Sequence, residues 1–154
     1  MKWSLFRFPP WRAKTPDPPS VDEVIRIAKE IESVIEGLVN SVFTRHYHTL
    51  MSRNITYIVP AVWGATKQES LGQEQKEIHG RVAPAVAEAV RLLGIRGMTP
   101  AQEFAIGYII RGQIVSKMVY MIEAAKRLRV EEERAEAESG PAGPLDDMEP
   151  VGRA

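Results

Sequence analysis

Aliphatic side chains return every three or four residues along the first third of the chain. Val24, Ala28, Ile31, Ile35, Leu38 and Val42 are separated by 4, 3, 4, 3 and 4 positions. At 3.6 residues per turn an α-helix gathers such positions on one side, whereas a strand would split them between two faces. Ile27, Val34 and Val39 widen the stripe beyond a bare coiled-coil seam, as a helix buried against more than one neighbour requires. Ser20-Val21-Asp22-Glu23 supplies a start: the serine oxygen accepts the Glu23 N–H, and the Glu23 side chain reaches back. The spacing predicts a helix over 20–52, weakened at Gly37.

The same reading extends along the chain. Ile55–Ala65 holds eleven residues without a charge, and Pro60 interrupts them. The expectation is a short buried helix starting near Pro60, or a continuation kinked there. Residues 68–93 place Ile78, Val82, Val86, Ala89, Val90 and Leu93 on one side, with Pro84 as an expected kink and Gly94 at the C-cap. Thr99, Pro100 and Gln102 then form a cap, a first helical residue and a box partner. The helix they open is expected over 99–137, roughly 60 Å long at 1.5 Å per residue. The fold class expected is all-α, an antiparallel helical bundle of three long helices plus one short buried helix.

Charge and proline divide this body from its ends. The full chain is neutral, with twenty basic and twenty acidic residues. Residues 1–19 nevertheless carry a net +3, residues 20–130 a net +3 and residues 131–154 a net −6. Five prolines within 9–19 predict an extended linker. Three parts follow: a basic, aromatic, proline-rich segment over 1–19, expected to be flexible; a helical domain over 20–138; and a disordered acidic tail over 139–154. No stretch reads as a signal h-region or a membrane span, so a cytoplasmic protein is expected.

The chain contains no cysteine, which excludes thiolate catalysis and cysteine-ligated metals. It carries no nucleophile elbow and no phosphate loop. His46 and His48 are two apart and diverge by about 200° on a helix, so they do not chelate. His46 falls near the apolar face, the place of a hydrogen-bonded core histidine. His48 shares the opposite stripe with Arg45, Ser41 and Ser52. His79 does not stand at Glu-x-x-His spacing from either Glu74 or Glu77, which argues against a di-iron carboxylate site. Glu77 and Arg81, four apart, are expected to form a surface pair. Catalytic, cofactor and metal residues are accordingly expected to be none.

Arg111 stands out. It projects about 160° away from Gln113, on the side shared with Ile114 and Met118, where a guanidinium needs an acceptor. Glu103, Glu88 and Glu36 are the expected internal partners, and an anionic ligand is the alternative. Trp3, Phe6, Phe8 and Trp11 interleave with Lys2, Arg7 and Arg12. Such aromatic and basic residues suit docking to another protein, or to an anionic membrane surface, through residues 1–14. Lys126, Arg127 and Arg129 are offset by the acids after Val130, and nucleic acid is not expected. Gly107 and Gly112 permit close helix approach, and a homo-oligomer is expected.

The function expected from these features is non-enzymatic. The chain reads as a helical assembly, adaptor or scaffold protein that self-associates through apolar helix faces and docks a partner through Trp3, Phe6, Phe8 and Trp11. The alternative is a small-ligand-binding or catalytic helical protein with Arg111, Arg45 and His48 lining one pocket.

Overall fold

The computed structural model describes residues 18–64, 68–94 and 96–140. The proposed docking residues Trp3, Phe6, Phe8 and Trp11 lie outside the described residues, as does the acidic tail beyond Gly140. Five α-helices follow in order: α1 (Val21–Arg45), α2 (Tyr47–Ser52), α3 (Ile58–Trp63), α4 (Gln73–Leu92) and α5 (Pro100–Ser139). Single 3₁₀ turns span Ile55–Tyr57 and Gln68–Ser70, and the described residues contain no strand.

The three long helices pack on one another. Arg81 donates to Ser41 Oγ at 3.0 Å, while Arg45 pairs with Glu77 at 3.7 Å. As the α1 partner falls from 45 to 41, the α4 partner rises from 77 to 81, so the two helices are antiparallel. The turn through Gly94 and Gly97 reverses the chain again, and α5 runs alongside α1 in the same direction. Lys117 of α5 meets Glu32 of α1 at 3.6 Å. The result is an up-down-up bundle, the all-α architecture expected from the periodicity.

Its core is aliphatic. Ile35, Val39 and Val42 of α1 meet Ile78, Val82, Val86 and Ala89 of α4 and Ile110, Ile114, Met118 and Ile122 of α5. Ile58, Ala61 and Val62 of α3 complete it. That helix is the short buried element expected around Pro60, which sits in its first turn, where a missing N–H costs nothing. Thr99 and Gln102 close the expected box at α5, Ser20 caps α1 by accepting the Glu23 N–H without the expected return bond from Glu23, and Gly94 follows α4 with a φ of +60°.

Three expectations need correction. The helix over 20–52 is interrupted at His46, whose φ and ψ of −110° and 22° separate α1 from α2. The aliphatic stripe of α1 is buried from Ile35, while Val24 and Ala28 are exposed, because the first two turns extend past the end of α4. The helix expected from 68 begins at Gln73, where the Gln75 side-chain Oε1 accepts the Gly72 N–H. Pro84 lies inside α4, as expected, and the residue four before it, whose carbonyl a proline ring crowds, is Gly80.

Candidate functional site

The most connected polar cluster lies where α1 gives way to α2. His46 is only 4% exposed, and its Nδ1–H donates to Glu74 Oε1 at 2.9 Å. Tyr57 leans on the other carboxylate oxygen at 3.5 Å, and Gln75 Nε2 donates to the Tyr57 carbonyl at 2.7 Å. Burial pushes the Glu74 carboxyl upward, but hydrogen bonds from Thr49, His46 and Tyr57 outweigh it and hold its pKa below the ordinary value. Burial and the neighbouring Glu74 charge raise the Tyr57 phenol, against a lowering by Arg53. A histidine oriented by a carboxylate has the outline of a general base. Here, however, Nε2 is sealed from solvent and bonded to nothing, so no substrate proton can reach it. The dyad ties the α1–α2 break to the start of α4. His46 is thus the hydrogen-bonded core residue its apolar neighbours implied, although its acceptor lies 28 residues away.

His79 serves a similar end. Its Nδ1–H donates to the Ala61 carbonyl at 3.1 Å, and its ring closes over Gly64, which turns the chain out of α3 with a φ of +76°. The expected Glu77–Arg81 pair is not formed: Arg45 takes Glu77, and Arg81 takes Ser41. Both reach across to α1, because α1 lies beside this face of α4 and offers closer partners than the helix's own next turn. Among the described residues no group of three histidines, aspartates or glutamates could hold a metal ion.

Arg111, Arg45 and His48 do not share a pocket. Arg45 lines a shallow surface cleft with Asn40, Ser41, Thr44 and Arg81. His48 is exposed, its ring edge-on to Tyr47 at 5.6 Å. Arg111 instead enters a cleft of about 370 Å³ between α4 and α5, with Glu103 on its rim and no histidine among its walls. The face assignment for Arg111 is correct, but none of Glu103, Glu88 or Glu36 pairs with it. Glu88 is taken by Arg91 within α4. Nε of Arg111 is sealed and without an acceptor.

The second feature is a surface. Over 104–122, α5 buries one side and leaves Ile109, 60% exposed, and Tyr120, 67% exposed, on the other, while Phe104, 70% exposed, lies about 140° around the helix from Ile109. Beside Ile109 and Tyr120 lie Ala105, Gly112, Gln113 and Ser116. Gly107, by contrast, is buried at the crossing with α4, and a Cβ there would sit 3.7 Å from Val86. Gly112 has nothing within 4 Å, so within one chain it serves no close approach. Tyr108 packs on Trp63 with ring centroids 4.3 Å apart and planes tilted by 58°. The sequence signal was the unbroken run Tyr108-Ile109-Ile110, which no single buried side can absorb.

Beyond Ala125, α5 leaves the bundle. Residues 126–139 are all exposed, a projection of about 21 Å. No helix among the described residues is long and apolar enough to cross a membrane. No family model, no curated protein and no solved structure matches this chain.

Proposed function

We propose that the protein is a non-enzymatic assembly or adaptor component. In this reading it self-associates through the outward side of α5 and engages a partner through residues 1–14. One observation carries it: α5 leaves Ile109 and Tyr120, about 20° apart around the helix, in water beside Ala105 and Gly112. Large apolar groups left outside the buried side of a helix mark a surface that a partner covers. Phe104 and Tyr108 stand about 100° or more around from Ile109 and do not add to that patch. The projecting end of α5 agrees with it. Fourteen unpacked residues are about the length at which an isolated helix is marginal in water. Leu128 and Val130 on this stretch are also exposed.

Light scattering across a concentration series tests the reading. The wild-type mass is expected to be a multiple of 17.2 kDa, and Ile109→Glu to return it to one chain with its helicity unchanged. A wild-type mass of one chain at every concentration, or association that survives the charge at 109, would refute it. Pull-down with and without residues 1–14 tests the docking segment, and an unchanged partner list would dismiss it. The reading keeps the cytoplasmic location expected from the sequence. The alternative, a ligand or catalytic site combining Arg111 with Arg45 and His48, loses support because those residues face three different environments.

A further inference from the structure

We infer that the cleft between α4 and α5 is a binding site for a small amphiphilic carboxylate, independent of self-association. Ala83, Val86, Ala87 and Val90 of α4 face Pro100 and Phe104 of α5 across it, while about half of the lining it exposes is polar, with Glu103 and Arg111 among the lining residues. Its volume of about 370 Å³ lies within the range of small-molecule sites. The one cation inside is Arg111. Side chains on a helix lean towards its N-terminus, and Arg111 does so. Its guanidinium passes over Gly107, where a Cβ would sit 3.6 Å from Nη1. The glycine thus provides the floor on which the guanidinium rests.

The electrostatics are incomplete as they stand. Among the described residues Arg111 has no hydrogen-bond or ion-pair partner, and its Nε has lost its water without gaining an acceptor. The residue is half-buried, and its one sealed N–H is unfavourable until an acceptor meets it. Glu103 sits at the mouth, two helical turns earlier, exposed and not paired with Arg111. A carboxylate bound between the walls supplies the missing charge, and the planar fork of arginine matches its two oxygens. The aliphatic α4 wall suits a short hydrocarbon chain on the rest of the ligand. Phe104 and Tyr108, with ring centroids 6.5 Å apart, extend the apolar surface at the mouth.

Octanoate is the probe, titrated calorimetrically into the full chain, with octanol and acetate as comparisons. Saturable octanoate binding is expected with a Kd of about 0.1–1 mM, ordinary for ten heavy atoms. Octanol and acetate should each bind at least about tenfold more weakly, because one lacks the charge and the other the chain. Arg111→Met keeps the apolar stem and should weaken octanoate about tenfold or more while leaving the helical spectrum unchanged. Glu103→Gln removes the only other charge at the cleft and should tighten binding. The inference is overturned if octanoate shows no saturable binding up to about 10 mM, a concentration well above that Kd. It is equally overturned if octanol binds as well as octanoate, or if folded Arg111→Met binds octanoate like the wild type.

Discussion

Gly64→Ala is the sharpest test of how the short helix α3 is locked onto α4. Gly64 holds a φ of +76°, in the left-handed region that costs a residue with a Cβ about 1–2 kcal/mol. A methyl group there would also lie 2.9 Å from Cε1 of His79, closer than carbon atoms tolerate. The imidazole would have to withdraw, and with it the 3.1 Å hydrogen bond to the Ala61 carbonyl, worth about 1 kcal/mol net. The two effects together predict a loss of about 2–3 kcal/mol. For a chain of 154 residues, at roughly 2–4 °C per kcal/mol, that lowers Tm by about 5–10 °C.

Thermal and urea denaturation followed by circular dichroism measure the loss, and a double-mutant cycle with His79→Ala divides it. Once the ring is gone the methyl has room, so Gly64→Ala on that background should retain only the backbone cost of about 1–2 kcal/mol. The coupling should therefore be about 1 kcal/mol and relieving in sign. A loss below about 0.5 kcal/mol in the single variant would refute the backbone argument, since that is the scatter of ordinary surface changes. Equal losses on both backgrounds would refute the contact with His79.

Three further predictions concern the rest of the bundle. Gly37 is exposed in the middle of α1 with nothing within 4 Å of its would-be Cβ, so Gly37→Ala should stabilise by about 0.5–1 kcal/mol, measured by urea midpoint. Thr99→Ala removes an oxygen that accepts the Gln102 N–H at 3.2 Å and should cost about 1 kcal/mol in the same assay. The folded-state pKa of Glu74 is depressed, so its contribution is complete above the ordinary glutamate value of about 4.3 and is lost as pH falls through the lower, folded value. Stability should therefore decline at acid pH less steeply in Glu74→Gln than in wild type, as read from urea titrations between neutral and acid pH.

Helix type and the starts of α1 and α5 were legible in the sequence because both are local. The period of Ile31, Ile35, Leu38 and Val42 is set by residues a turn apart, and the caps at Ser20 and Thr99 are closed within three residues. Even the inward side of Arg111 follows from counting 100° per residue from Ile110 and Ile114. What touches what was not legible, because it depends on which distant helix lies opposite. His46 found its acceptor on Glu74, and Glu77 chose Arg45 over the nearby Arg81. The helix break at His46 belongs to the same class, since periodicity alone continues through it.

The candidate surfaces divide in the same way. Periodicity reports that a residue is apolar and on which side of its own helix it falls, but burial is decided by the neighbours. Val24 and Ile35 belong to the same α1 helix, yet one is exposed and the other buried, because α4 ends before it reaches Val24. Tyr108, Ile109 and Ile110 are consecutive apolar residues, and only packing against α1 and α4 determines that Ile110 is core while Ile109 faces outward. The chain's own pattern thus determined three long helices and where the first and last of them begin. The tertiary arrangement decided which side of α5 was left without a neighbour and which cation was left without an anion, since both depend on the space between helices far apart in sequence.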